Sequence, residues 1–63
     1  MAIIIIGNER IPVETGITIE KALIGMKKHP DAYIFLLQGK PVPMTAAVER
    51  GMEIEAVLVA SGG

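Results

Sequence analysis

The chain has 63 residues, of which 51% are hydrophobic, 21% charged and 3% aromatic. Six basic and seven acidic side chains give a formal net charge of −1, and the chain contains no cysteine and a single histidine, His29. This length allows one domain, and the composition excludes disulfide scaffolds, zinc fingers and iron–sulfur proteins, because those classes need thiolates or clustered imidazoles.

Charge and hydropathy patterning narrow the function classes further. The charges are spread without a basic stripe, so we do not expect binding to nucleic acid. The apolar runs Ala2–Ile6 and 56–60 have five residues each, whereas a membrane helix needs about 20. No secretory signal pattern is visible at the N-terminus. We therefore expect a cytoplasmic protein without a membrane partner.

The first predicted element is a β-strand over residues 1–6, a β-branched apolar run that ends at the turn-forming pair Gly7 and Asn8. Residues 11–14 predict a second strand that pairs with the first in a hairpin. Proline cannot donate to a hydrogen-bond ladder, so Pro12 predicts that this second strand lies at an edge of the sheet.

A single amphipathic helix is predicted after Thr18, a residue type that is favourable at a helix N-cap. Apolar side chains recur at helical spacing over residues 19–26 and form one stripe. Gly25 is expected to permit a close approach of helix and sheet. The lysines at 27–28 are expected in the last turn, where they suit the helix dipole, and Pro30 is expected to stop the helix.

The remaining elements are strands and connections. Tyr33–Leu37 predicts a third strand, residues 41–43 a short edge piece, residues 44–50 an irregular or one-turn helical crossover, and residues 53–59 the last strand. The order β-β-α-β-β-β predicts an α+β fold with one helix across one face of a mixed sheet, with the first and last strands adjacent and parallel in the middle. We predict a domain over residues 1–59 and a flexible tail over 60–63.

Indications of an enzyme are weak. The chain contains no phosphate-binding loop, dinucleotide fingerprint or nucleophile elbow. His29 is interpreted as a polar end of the helix. Glu53 and Glu55 lie two residues apart on a strand and are expected on one solvated face. We therefore predict no catalytic residue and no metal site in this chain.

The last four residues, Ala60-Ser61-Gly62-Gly63, carry the main functional indication. Glycine has no side chain and is conformationally permissive, so two glycines let an extended tail enter a narrow channel. A terminal carboxylate held in line with the α-phosphorus of a nucleotide, with Mg²⁺ support, can attack it and form an acyl-adenylate. The other interpretation of this segment is a frayed end without a function.

Short motifs along the chain support the first interpretation. Thr18-Ile19-Glu20, Ile34-Phe35, Gly39-Lys40 and Gly62-Gly63 occur in an order and approximate spacing that resemble ubiquitin. The segments 16–19, 38–43, 51–54 and 61–63 are similar to the sulfur carriers of thiamine and molybdopterin biosynthesis. The chain length resembles the thiamine-type carrier and the small ubiquitin-like modifiers of archaea. Two positions depart from the pattern, since the family often has Asn-Gly at 38–39 and Gly-Asp at 51–52.

This resemblance to the β-grasp carrier superfamily implies a protein cosubstrate, or the small subunit of a sulfur-transferring enzyme. An E1-like enzyme would use ATP and Mg²⁺ to adenylate the carboxylate of Gly63, after Gly62, and the chain itself would bind no cofactor. A sulfur-donor enzyme would then form a thiocarboxylate for thiamine, molybdopterin or tRNA thiolation by an acceptor synthase. In the modifier version, Gly63 would be joined to lysines of target proteins.

Strand alternation predicts a partner-binding surface. One face of the sheet is expected under the helix, and it comprises Ile3, Ile5, Phe35, Leu37, Ile54, Ala56 and Leu58. The opposite face, with Ser61 of the tail added, gives the predicted partner-binding residues Ile4, Ile6, Ile34, Leu36, Val57, Val59 and Ser61. The resemblance implies a partner patch at Leu36 and Val57 as well. Two alternatives stay open: a non-catalytic interaction module with an inert tail, and a weak homodimer through the open face.

Overall fold

The computed structural model describes residues 1–59, which form five β-strands, one α-helix and one 3₁₀ helix. In chain order these are β1 (Ala2–Ile6), β2 (Glu9–Val13), α1 (Ile19–Gly25), the 3₁₀ helix (Pro30–Ala32), β3 (Tyr33–Leu37), β4 (Lys40–Val42) and β5 (Glu53–Leu58). The α+β class is confirmed, and the architecture is consistent with a β-grasp-like fold. The order differs from the prediction by the 3₁₀ helix that joins α1 to β3.

The five strands form one mixed sheet in the order β2-β1-β5-β3-β4. β1 and β5 are parallel neighbours, as expected, and the other pairs are antiparallel. The edge position of β2 is confirmed. Pro12 pairs with Ile3, whose amide donates to the Met52 carbonyl on the β5 side at 2.9 Å, so the proline nitrogen faces away from β1. The outer edge of β2 therefore lacks one amide donor for a further strand.

Two tight turns set the register of the hairpins. Ile6 pairs with Glu9 across a two-residue turn in which Gly7 has φ +60°. In the second hairpin, Gln38 and Gly39 have φ +53° and +79°, the pattern of a type I′ turn, whose twist matches that of paired strands. Gln38 adopts the left-handed region although it is neither glycine nor asparagine.

The core lies between α1 and one face of the sheet. Ile4, Ile19, Leu23 and Ile54 are at most 1% exposed, and Phe35 packs in the same cluster. The central strands β1, β5 and β3 thus supply the floor of the core, and the apolar stripe of α1 supplies its roof. Burying these side chains is the main stabilising contribution in a chain of this size, because the hydrophobic effect scales with apolar area removed from water.

The expected facing of β1 is wrong. Ile4 is fully buried on the helix side and Ile6 packs against the core, whereas Ile3 and Ile5 lie on the face of the sheet away from α1. The hairpin explains this, because Ile4 pairs with Ile11, and directly paired residues share a face. The prediction that Ile4 and Ile6 lie on the partner-binding surface is therefore wrong.

The start of α1 is held by the crossover over residues 43–50. The Thr18 hydroxyl accepts a hydrogen bond from the amide of Lys21 at 3.2 Å, which confirms the predicted N-cap. The first two helical amides donate to the carbonyls of Ala46 and Met44 at 3.0 and 2.8 Å. The amides that a helix start leaves unpaired are therefore satisfied within the chain.

The end of α1 differs from the prediction. The helix ends at Gly25, and Lys27 adopts the left-handed region with φ +62°. The amide of Lys28 donates to the Leu23 carbonyl at 3.0 Å and that of Lys27 to the Ile24 carbonyl at 2.9 Å, which is a Schellman motif. The lysine pair therefore follows the helix, and the chain leaves the helix before it reaches the proline that was expected to stop it.

Gly25 does not serve a close approach of helix and sheet. A Cβ atom built on Gly25 would meet nothing within 4 Å outside its immediate chain neighbours, and the residue is exposed. The expected packing role of this glycine is therefore wrong. Within residues 1–59, no helix has the length and apolar character needed to cross a membrane.

Candidate functional site

The central strand β5 is the last strand of the sheet and precedes the last four residues of the chain. β5 is bonded to β1 on one side and to β3 on the other. After it, the Val59 amide donates to the Ala32 carbonyl at 2.8 Å, so pairing on the β3 side continues to the end of the described segment. The predicted attachment residues Gly62 and Gly63, together with Ser61, lie outside the described residues and stay predictions.

The end of β5 is open on its other side. The parallel pairing of β1 stops where Ile6 meets Ala56, so β1 does not accompany Val57 and Leu58. Their side chains are 41% and 66% exposed. The depression left beside them has a volume of about 390 Å³, and Tyr33 contributes to its wall. Apolar surface is thus available next to the point from which residues 60–63 continue.

Leu58 itself departs from the prediction. Its alternation places it on the helix side of β5, where it was expected to pack under α1, but it is one of the most exposed apolar residues of the described chain. A seven-residue helix is only about 10 Å long. The helix therefore covers the middle of the sheet and leaves this end of β5 uncovered.

The face of the sheet away from α1, here called the open face, combines apolar and acidic side chains. Along β5 it presents Glu53, Glu55 and Val57, all exposed, which confirms the expected solvated position of the two carboxylates. On β3 it presents Ile34, which is 47% exposed and pairs directly with Val57, and Leu36, which is half-buried. The open face is therefore a largely apolar surface with carboxylates on its central strand.

An ion pair crosses one half of this face. Arg10 on β2 reaches over β1 to Glu53 on β5, with 3.3 Å between the guanidinium Nη2 and the carboxylate Oε2. Both side chains are more than half exposed, so the pair contributes little to stability. Its structural effect is to occupy one carboxylate of the open face with Arg10, which pairs with Ile5 in the register.

Three of the six predicted partner-binding residues that the structure describes come together on one face. Ile34, Leu36 and Val57 share the open face, whereas Ile4 and Ile6 lie on the helix side. Val59, beyond the end of β5, is half-buried.

The sequence reasoning missed Ile3 and Ile5 as members of the open face. The signal was present in β2, where Ile11 and Val13 alternate with Arg10 and Pro12. The two-residue turn sets the hairpin register, in which Ile3 pairs with Pro12 and Ile5 with Arg10, so both isoleucines share the face of the polar side of β2.

Within residues 1–59, no group of three or more histidine, aspartate or glutamate side chains converges to hold a metal ion. His29 is exposed and caps the 3₁₀ helix without a side-chain hydrogen bond. What the arrangement can do is present an apolar and acidic sheet face beside the start of the C-terminal segment.

Comparisons with protein-family models, with curated proteins and with solved structures find no match to this chain. The fold, the open face and the sequence that follows β5 therefore carry the indications of function.

Proposed function

We propose that this chain is a β-grasp carrier protein whose Gly63 carboxylate is activated by an ATP-dependent, E1-like enzyme. The observation that carries the proposal is the position of β5. This strand occupies the centre of the sheet, is paired with β1 over residues 53–56 and with β3 over residues 54–58, and is followed within five residues by Gly62-Gly63. A rigid body that continues into a short segment ending in two glycines suits a group that must enter another protein's active site.

The proposed activation is an in-line displacement at phosphorus. A carboxylate oxygen of Gly63 attacks the α-phosphorus of ATP, the bond to the β-phosphate oxygen breaks, and pyrophosphate leaves with Mg²⁺ support. The product is an acyl-adenylate. The activating enzyme supplies the nucleotide site and the metal, and this chain supplies the nucleophilic carboxylate on a segment without bulky side chains.

The acyl-adenylate has two proposed fates. A persulfide sulfur of a donor enzyme attacks the carbonyl and releases AMP, and cleavage of the resulting acyl disulfide by a thiol leaves a thiocarboxylate that can supply sulfur to thiamine, molybdopterin or tRNA thiolation. Attack by the amine of a target lysine instead gives an isopeptide bond. Both fates use the same terminal carbonyl and differ only in the nucleophile.

The open face supplies the recognition that such a mechanism requires. Ile34, Leu36 and Val57 form exposed or half-exposed apolar surface close to the end of β5. A partner that packs on this surface holds the following segment at a fixed distance from its own nucleotide site, which converts an encounter of two proteins into a positioned reaction. Apolar area of this kind on a small domain is typical of a binding surface.

The deciding experiment is the intact mass of the protein purified from its own cell. A chain whose terminal carboxylate has exchanged one oxygen for sulfur supports sulfur carriage, and Gly-Gly remnants on lysines of other proteins support conjugation. Finding neither under native expression contradicts the proposal and favours an interaction module with an inert tail.

Two variants of the C-terminus distinguish a carrier from an interaction module with an inert tail. Deleting Gly63, or adding one residue after it, is expected to abolish adenylation as measured by pyrophosphate exchange, because the carboxylate no longer reaches the α-phosphorus. The same variants should retain the thermal unfolding midpoint of the wild type, since residues 60–63 follow the last strand. Full activity of a lengthened terminus would refute the carrier function.

A further inference from the structure

Glu55 occupies the middle of the open face, and apolar side chains flank it on three sides. Its registered neighbours are Ile5 on β1 and Leu36 on β3. Val57 follows two residues later on the same face of β5, and Ile34 pairs with Val57. Side chains at such directly paired and same-face positions lie within contact distance of one another. These four apolar residues, here called the apolar ring, therefore flank the Glu55 carboxylate on three sides, and Glu53 lies on the fourth.

The neighbouring carboxylate on the same strand is in a different situation. Glu53 is paired with Arg10 at 3.3 Å. Within residues 1–59, Glu55 forms no ion pair, and residues 60–63 contain no basic side chain that could provide one. The two glutamates share a strand, a face and an exposed position, and they differ in whether the chain itself neutralises them.

The unpaired charge of Glu55 limits which partner surfaces can pack on the apolar ring. A partner that packs on Ile5, Ile34, Leu36 and Val57 removes the carboxylate of Glu55 from water. An unpaired carboxylate in a desolvated contact is strongly unfavourable, whereas one that receives a charge-assisted hydrogen bond from a cation is tolerated or favourable. An apolar ring around a charge pair also excludes water from it, an arrangement found at energetically dominant contacts.

We propose that the activating enzyme presents one arginine or lysine to Glu55, encircled by apolar side chains that pack on the ring. This inference rests on the proposed function and specifies the chemistry of the partner's surface. The complementary charge selects the partner, because a wholly apolar surface would leave Glu55 unpaired and an acidic surface would repel it. Arg10 pairs with Ile5 in the register and lies beside the selected contact, where Glu53 already neutralises it.

The test compares Glu55→Gln with Glu53→Gln as substrates of the adenylating enzyme purified from the same cell, measured by pyrophosphate exchange. Both changes keep the size of the side chain and remove its charge. We expect Glu55→Gln to lower kcat/KM by about thirtyfold, because a cation of the partner is left unpaired in the contact. We expect Glu53→Gln to lower it by less than about threefold, and Glu55→Lys to lower it further than Glu55→Gln.

The outcomes separate this inference from the proposed function. If wild type is adenylated and Glu55→Gln is adenylated equally well, the cationic contact is refuted while the carrier function stands. If wild type is not adenylated, both fall. Sedimentation of wild type and of Glu55→Gln, each without the enzyme, tests whether a second copy of this chain covers the open face. If wild type is a dimer, Glu55→Gln is a monomer and adenylation is unchanged, the inference is overturned. Thermal unfolding of each variant checks that the fold is retained.

Discussion

The two faces of the sheet are built from the same strands and both carry apolar side chains, yet one is covered and the other is not. On β1, Ile4 is fully buried and its neighbour Ile5 is half-exposed. On β5, Ala56 is 4% exposed and Val57 is 41% exposed. Within β1, hydrophobicity alone therefore does not decide which side becomes the core. The decision comes from strand register and from the side on which the single helix packs.

The difference also separates what stabilises the molecule from what it offers to a partner. The helix side holds the buried cluster that keeps the chain folded. The open face carries apolar side chains and two glutamates, of which the chain pairs Glu53 with Arg10. Substitutions on the helix side should thus change stability, and substitutions on the open face should change recognition at nearly constant stability.

The largest contrast is expected between two consecutive residues of β5. Ala56→Asp places a carboxylate in the core without a partner, and we expect this variant to be unfolded, because the cost of burying an unpaired charge exceeds the stability of a small domain. Val57→Asp places the same group on the open face, and we expect a folded chain that the activating enzyme no longer adenylates. Leu36→Asp should behave like Val57→Asp.

Circular dichroism measures folding in this comparison, and pyrophosphate exchange measures adenylation. A folded Ala56→Asp would show that the helix side is not the core. Wild-type turnover with both Leu36→Asp and Val57→Asp would remove the open face from the mechanism.

A smaller contrast is expected between two isoleucines of β1. Ile4→Ala should lower the free energy of unfolding by about 3 kcal/mol, because it leaves a cavity in the packed core. Ile5→Ala should lower it by less than about 1 kcal/mol, since this side chain is only partly removed from water. Urea titration gives both values. Should Ile4→Ala unfold the chain entirely, Ile4→Val, with an expected loss of about 1 kcal/mol, replaces it. Equal losses at both positions would mean that the faces are not distinct.

The smallest effects are expected at the end of α1, where two substitutions should stabilise the covered side without touching the open face. Lys27→Gly relieves a left-handed backbone conformation, and Gly25→Ala raises helix propensity at a position with open space around it. We expect each to raise the free energy of unfolding by about 0.5–1 kcal/mol and to leave adenylation unchanged.

Lys28→Gly is the matched control for this pair of substitutions, because Lys28 is not in the left-handed region, and it should bring no gain. A stabilisation by Lys28→Gly as large as that by Lys27→Gly would contradict the assignment of the helix end.

Much of the architecture could be predicted because it depends on local chemistry. The strand Tyr33–Leu37, the N-cap at Thr18 and the edge position of β2 follow from short stretches of sequence, and the structure confirms them. In each case a few neighbouring residues set the outcome: a β-branched and aromatic run, a hydroxyl before a helix, and a proline that cannot donate to a ladder.

The candidate site was only partly predictable. Val57 was placed on the open face because glutamates alternate with apolar residues along β5 and define its phase. Ile34 and Leu36 lie in the unbroken apolar run of β3, which carries no such alternation. The four consecutive isoleucines of β1 contain none, so the facing of Ile4 and Ile5 could not be inferred from β1 itself. The hairpin register with β2, where polar and apolar residues do alternate, carries that information across the turn.

Amino-acid order alone determined the strands, the helix start and the edges, because these depend on interactions within a few residues. The tertiary structure decided the rest. It placed Val48, from an irregular crossover, in the core at 1% exposure, and it ended α1 at a left-handed lysine rather than at a proline. It also decided which isoleucines of β1 face the helix. These features depend on contacts between segments far apart in the chain, whose free energies outweigh the weak local preferences of the residues involved.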